Sequence, residues 1–298
     1  MLELRGHTGT VHALAFAPDA RTLFSAGKDR NIRIWDIAAG AEAGRLEGHG
    51  GPVVCLAVHR LGKVLASGGQ DSSLKLWRLP EGQPMAGYPK QMAAVTGVGW
   101  LPDRAATLLM VCGERMQPER GGELRLWDFA SGAQPKNLRL DAHGFWSLAV
   151  ATQAPVVAWS GGSRSVSAWN ITHQQPTSFR VSSPSLAAAL SPDGNLLAAS
   201  VDRVVKVFDV RKGRELTTID AHKGLVRALA FSPGGRILAT GSQDQTVRFW
   251  SLEGASIQPG PVFQWPIGGV HALAFSPDGM LAAAAGESGA VWLWDLDT

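Results

Sequence analysis

An all-β body made of seven stacked repeat units is what this sequence predicts, and three observations predict it. The stretch Ala221 to Trp250, AHKGLVRALAFSPGGRILATGSQDQTVRFW, is matched position for position by residues 6–35, GHTGTVHALAFAPDARTLFSAGKDRNIRIW. A bulky aromatic anchor recurs about every 40 residues, at Trp35, Trp77, Trp127, Trp169, Phe208, Trp250 and Trp294; units of that size cannot bury their apolar surface alone and must stack. Finally, a polar quartet keeps fixed offsets in three units: His7, Ser25, Asp29 and Trp35; His49, Ser67, Asp71 and Trp77; His222, Thr240, Asp244 and Trp250.

The quartet has a physical reading. A buried indole N–H needs an acceptor, a Ser or Thr hydroxyl is small enough to supply one inside a sheet, and that hydroxyl can meet an imidazole held by a carboxylate. The same residue types would also suit a Ser-His-Asp catalytic arrangement. Its threefold occurrence, with the hydroxyl in mid-strand under an indole, leaves no room for substrate and favours the structural role.

Gly-His opens the first two units, and Trp-Asp closes three at Trp35-Asp36, Trp127-Asp128 and Trp294-Asp295. With these marks the chain resembles the WD40-repeat family over essentially its whole length, its Ala-rich repeats being similar to bacterial members. The resemblance implies a seven-bladed β-propeller of four antiparallel strands per blade around a central channel, a single domain over residues 1–298. It also implies that each quartet ties together the loop bearing the His, the second strand, the turn bearing the Asp and the Trp strand.

In unit one, Val11 to Ala17 is almost wholly apolar, as an inner strand covered on both faces should be. Arg21 to Ala26 returns, Ile32 to Asp36 is the third strand, and the outer strand falls near Ala43 to Leu46. A basic residue two before the anchor recurs as Arg33, Lys75, Arg125, Lys206 and Arg248, which a stem lying over the blade with its head in water explains. Unit two repeats the plan with Val53 to Val58, Val64 to Ser67 and Leu74 to Trp77; its outer strand falls within Gln83 to Lys90, where Pro84 and Pro89 suit only an edge.

Unit three starts at Val95 to Leu101 and carries an insertion, Glu114 to Gly121, read as a protruding loop. Unit four keeps His143, but its SGGSRSVSAW reads as one residue short, with Ser163 or Arg164 where Asp belongs. Unit five opens with Ser182-Ser-Pro184, keeps Asp202 and replaces the anchor by Phe208; unit seven has Ser288 at the Asp position. The last unit ends after its third strand, so Leu2 to Arg5 is expected to supply the outer strand of blade seven and close the ring, removing its open edges.

Only 18% of residues are charged, and 28 basic against 25 acidic residues give a net charge of +3, too near balance to indicate nucleic acid. The cluster Arg203, Lys206, Arg211, Lys212 and Arg214 reads as a solvated outer strand and turn. Cys55 and Cys112 sit in apolar runs and read as buried thiols, which suits a reducing compartment. No leader-like apolar core or membrane-length apolar run is seen, and the Asn170-Ile171-Thr172 sequon is taken as chance, so the expected setting is cytoplasmic, with no membrane partner. Phosphate loops, zinc-binding spacings and calcium loops are lacking, and neither cofactor nor metal is expected.

The resemblance also directs attention to the upper rim of the channel, where family members make partner contacts. Carried onto this sequence, the rim positions are Thr10, His12 and Lys28; Pro52, Val54 and Gln70; Thr96; Trp146; Pro184 and Leu186; Leu225, Arg227 and Gln243; and His271 and Glu287. An indole flanked by Arg and His has the composition of a binding hot spot, although Trp146 could instead plug the channel. The reading is therefore a non-enzymatic scaffold, monomeric unless built into a larger assembly, that binds a protein or peptide segment. One alternative is a propeller hydrolase or lyase, which would need clustered carboxylates where only Glu287 stands. The other, a nucleic-acid reader, would need a stronger basic surface.

Overall fold

The computed structural model describes residues 1–85, 93–102, 107–112, 122–128, 136–139, 144–173, 176–253 and 256–296. Among these, the strands pair into seven antiparallel four-stranded sheets. Blade one is β2 (Val11–Phe16), β3 (Thr22–Gly27), β4 (Ile32–Asp36) and β5 (Ala41–Leu46). Blade two is β6 (Val53–Val58), β7 (Val64–Gly69), β8 (Leu74–Arg78) and β9 (Gln83–Pro84). Blade three is β10 (Val95–Trp100), β11 (Thr107–Cys112), β12 (Glu123–Asp128) and β13 (Lys136–Arg139). Blade four is β14 (Phe145–Val150), β15 (Val156–Gly161), β16 (Ser165–Asn170) and β17 (Thr177–Arg180). Blade five is β18 (Ala188–Leu190), β19 (Leu196–Val201), β20 (Val204–Asp209) and β21 (Arg214–Ile219). Blade six is β22 (Val226–Phe231), β23 (Ile237–Ser242), β24 (Thr246–Glu253) and β25 (Ser256–Gln264).

Six sheets thus come from continuous stretches, and the seventh joins the two ends of the chain. There β26 (Val270–Phe275), β27 (Leu281–Gly286) and β28 (Val291–Asp295) are completed by β1 (Leu2–Leu4), with Leu2 opposite Leu293 and Leu4 opposite Val291. Inner strands neighbour one another in chain order, and β26 returns to β2. An apolar cluster fills each junction. Between blades one and two it contains Phe24, Ile32, Val53, Leu65 and Trp77; at the closing junction it contains Leu4, Val11, Trp35 and Leu293. Leu4 is almost wholly buried there, a contribution of about 1.5–3 kcal/mol.

Several sequence-based expectations need correcting. The outer strand of blade two is not among them: it stands at Gln83–Pro84, inside the expected window, while residues 86–92, the insertion 114–121 and His143 lie outside the described residues. Unit four is not short at its second turn: Trp159 faces Ser167, the same separation as Ser25 and Arg33, so Trp159 and not Ser160 stands at the hydroxyl position. It is unit five that loses a residue, since Val201 pairs directly with Val204 and leaves Asp202 at the hairpin tip with φ of 54°. The basic heads are not all in water either. Arg33 is buried and paired with Glu42, and Lys206 meets Glu215 at 2.7 Å, because the neighbouring outer strand supplies an acid.

Removing residues 1–5 strips β28 of its partner and the closing junction of Leu4. The melting temperature should fall by several degrees in a thermal scan; an unchanged melt would reject the pairing.

Candidate functional site

The three quartets form the same relay. Trp35 Nε1 donates to Ser25 Oγ at 2.7 Å, Ser25 Oγ lies 2.7 Å from His7 Nε2, and His7 Nδ1 lies 2.8 Å from Asp29. The corresponding distances are 2.9, 2.8 and 3.1 Å from Trp77 through Ser67 and His49 to Asp71. From Trp250 through Thr240 and His222 to Asp244 they are 3.1, 2.7 and 3.0 Å. A hydroxyl that accepts from an indole has its one proton left for the imidazole, so Nε2 accepts and Nδ1–H donates to the carboxylate. Each carboxylate also accepts a main-chain N–H from the loop bearing the His: Thr8, Gly50 and Lys223 respectively. All three imidazoles are sealed from solvent, which leaves a substrate no way to the hydroxyls.

Burial holds His7, His49 and His222 below the usual histidine range, against the pull of their aspartates. The aspartates move down as well. Burial alone would raise Asp244, but the Thr246 hydroxyl, the Lys223 N–H and His222 outweigh it and bring it to about 2.

The other blades show what the relay replaces. In blade four the hydroxyl position is Trp159, and the Trp169 indole donates to the His173 carbonyl at 2.9 Å. In blade five Ala199 and Phe208 have lost acceptor and donor together, while Ser183 Oγ donates to Asp202 at 2.7 Å. In blade seven Ala284 stands at the hydroxyl position, and the buried Trp294 N–H has no acceptor among the described residues. Aromatic packing fills that blade instead. Trp265 stacks on Trp292 with planes 2° apart, and its ring centre is 4.5 Å from that of Trp294.

The rim is built on a different device. In six of the seven inner strands one residue is skipped in the pairing with the second strand. The skipped residues are His12, Val54, Thr96, Trp146, Arg227 and His271. A bulge turns its extra residue out of the ladder, and here these residues face the channel. Blade five reaches a similar result at Leu186, where the Leu186 and Ala187 N–H groups both donate to Ser200 Oγ. Close main-chain approach accompanies the bulges: Lys28 N donates to Thr10 O, Gln70 N to Pro52 O and Gln243 N to Leu225 O. The residue ending the second strand must be small to permit this, since a Cβ on Gly27, Gly161 or Gly286 would lie 2.0–2.2 Å from a facing carbonyl.

A cavity of about 570 Å³ opens along the axis, lined from every blade. Of the rim residues named from the sequence, His12, Val54, Gln70, Thr96, Trp146, Leu186, Arg227 and His271 line it. Thr10, Lys28, Pro52, Pro184, Leu225, Gln243 and Glu287 do not, though two of them touch those that do. With its amide oxygen turned toward Arg227, Gln243 accepts from Nε at 3.0 Å and Nη2 at 2.7 Å, and Glu287 lies 3.7 Å from His271. Thr96 is already engaged, its hydroxyl donating to the Phe145 carbonyl at 2.8 Å. The sequence reading missed the next layer down, an apolar collar of Leu14, Leu56, Val98, Leu148, Leu229 and Leu273. Each stands two residues after a rim position, so the period-two alternation of runs such as VHALAF carried the signal.

The repeat profile described as "WD domain, G-beta repeat" matches residues 1–36, 40–78, 176–209, 213–251 and 262–295, more than half of the chain. The chain belongs to the WD40 family. A nuclear distribution protein, PAC1-2 of Uncinocarpus reesii, is 28% identical over 283 residues, covering 84% of this WD40 chain and 60% of its own length. Telomerase protein component 1 of Rattus norvegicus is 25% identical over 264 residues, 83% of this chain but 10% of that protein. A guanine nucleotide-binding protein subunit beta of Schizosaccharomyces pombe is 36% identical over 73 residues, 24% of either chain. The chain therefore spans less than two thirds of the length of these WD40 relatives. They are fungal and mammalian, so the expected bacterial character gains no support from them.

Two predictions concern the WD40 frame. The unfolded chain takes up protons on its histidines below about pH 6.5, whereas the folded imidazoles resist protonation to lower pH. The relay's contribution should thus be complete above pH 6.5 and decline as pH falls below it; replacing His222 by Ala should cost roughly 1–3 kcal/mol at pH 7.5 and flatten that decline in denaturant titrations. Conversely, Ala284→Ser gives Trp294 the acceptor it lacks and should add about 1 kcal/mol, read as a raised denaturation midpoint.

Proposed function

We propose that this WD40 propeller is a non-catalytic interaction scaffold that grips a protein or peptide segment on its upper rim. The observation that carries the reading is the set of bulges, which in six of the seven blades turns one side chain toward the channel mouth while the ladder beyond it continues. A frame that repeats while the presented side chains differ from blade to blade is suited to recognition. Trp146 is the anchor of this reading. Its indole lies over Gly162, where an added Cβ would come within 3.5 Å of the ring, and a rigid aromatic of this kind dominates many interfaces. Two further readings support a scaffold over an enzyme: the relay hydroxyls are closed to substrate, and Glu287 is the one acid among the rim positions. A cytoplasmic setting belongs to the proposal, and no helix among the described residues is long and apolar enough to cross a membrane.

A capture experiment tests the reading by comparing the unaltered chain with Trp146→Ala and with Leu61→Asp, which alters an exposed turn at the opposite end of the propeller. Trp146→Ala should keep its melting temperature and lose at least tenfold in partner recovery, while Leu61→Asp keeps both. Equal recovery by the unaltered chain and Trp146→Ala would move binding off the rim, and a large drop in melting temperature would make Trp146 a core residue.

A further inference from the structure

The seven rim positions are not mixed at random around the ring. In blade order, Val54, Thr96, Trp146 and Leu186 form one arc, and Arg227, His271 and His12 form the other. Arg227 of blade six stands next to Leu186 of blade five, so the boundary sets a cation beside an apolar wall that continues to Trp146. Arg227 forms no direct ion pair among the described residues: the group bound to its fork is the neutral amide of Gln243, and Glu287 acts on it only at longer range. His12 and His271 lie edge to face, 5.6 Å apart between ring centres.

This side of the mouth already seats one carboxylate. Glu287 Oε2 accepts from Gly269 N at 3.0 Å, and its other oxygen faces His271 Nε2 at 3.7 Å. The seat is tight: a Cβ on Gly269 would lie 2.9 Å from Glu287 Oε1. The Gly269 N–H, with help from His271 and Arg227, holds the acid below the usual glutamate range.

We infer that the rim takes a partner segment carrying an aspartate or glutamate beside a large apolar residue. The carboxylate meets Arg227 and His271, and the apolar side chain packs on Leu186 and Trp146. The inference rests on the rim reading proposed above and adds the chemistry of the occupant. A carboxylate suits a guanidinium through paired N–H donors, and Leu186 and Trp146 offer the adjacent area on which an aliphatic or aromatic side chain is desolvated. Glu287, fixed beside the same groups, repels an incoming acid and so limits its affinity.

The test uses an array of synthetic 12-residue peptides in which Asp or Glu precedes or follows Leu, Ile, Met or Phe. Matched sets carry Asn or Gln at the acidic position, Ala at the apolar position, or phosphoserine in place of the acid. The full chain should retain the acidic-apolar set. Its best peptide should bind at least tenfold more weakly to Arg227→Gln and to Trp146→Ala, recover in part with Arg227→Lys, and bind several-fold more tightly to Glu287→Gln, while Arg211→Gln on the outer turn of blade five changes nothing. Melting temperatures are recorded for each variant, and Trp146→Leu replaces Trp146→Ala if the latter melts early. Preference for the uncharged or phosphoserine set, or binding that depends on Trp146 and not on Arg227, would overturn the inference and leave the rim reading standing. Binding indifferent to both residues, or no retention of any set, would overturn both.

Discussion

The bulge at the start of the inner strands is the constraint on which the functional face depends. A regular ladder would leave every inner-strand residue alternating between the two inter-blade junctions, both of which are filled with apolar side chains. Skipping one residue breaks that alternation at a single place and, in six of the seven blades, frees one side chain to face the axis. The break requires the main chain of the inner strand to come within hydrogen-bonding distance of the next hairpin, and Gly27, Gly69, Gly161 and Gly286 provide the clearance. Arg227 is presented in the same way opposite Ser242, whose small side chain also fits.

Ring closure and the quartets serve that constraint from behind. Strand β1 gives blade seven an outer strand, so the closing junction is as apolar as its neighbours. The relays bind the loop entering a blade to the hairpin leaving its second strand, which is the same hairpin that the bulge approaches. Where the relay is lost, other forces occupy the space: a hydroxyl-carboxylate bond in blade five, stacked indoles in blade seven. Frame rigidity is therefore supplied by different chemistry in different blades, with a common main-chain course.

These differences explain which parts were legible in the sequence. The relay requires particular residue types at fixed offsets, so His7 to Trp35 and its two counterparts stand out by spacing alone. The bulge is a main-chain feature that accepts any side chain, as His12, Val54 and Trp146 demonstrate, and its visible trace is the glycine that faces it in four of the six. Unit four misled because Ser160 imitates the relay hydroxyl one residue away from its true position, and register is set by pairing that a local pattern does not specify. The buried pairing of Arg33 with Glu42 was hidden for a related reason, since it depends on how the outer strand aligns with the third. The stack of Trp265 on Trp292 joins the loop before blade seven to its third strand and has no repeated spacing to reveal it.

The polarity of the rim follows from the same structural economy. In the three relay blades the residue before the turn aspartate is long and polar: Lys28, Gln70 and Gln243. Each is fixed by the bond from its own N–H to the residue two before the bulge, so its side chain stands beside the channel mouth. Blade four has Gly162 at that place and the indole of Trp146 lies across it; a long side chain at 162 would compete for the same space. Blade five, with a hairpin one residue shorter, has no equivalent position at all. Blades four and five, neither of which keeps the relay hairpin, thus set Trp146 and Leu186 side by side as a continuous apolar sector, and Arg227 in blade six borders it because the relay hairpin resumes there. Departure from the repeat, which weakens the signal used to recognise the fold, is what gives the ring one face unlike the others.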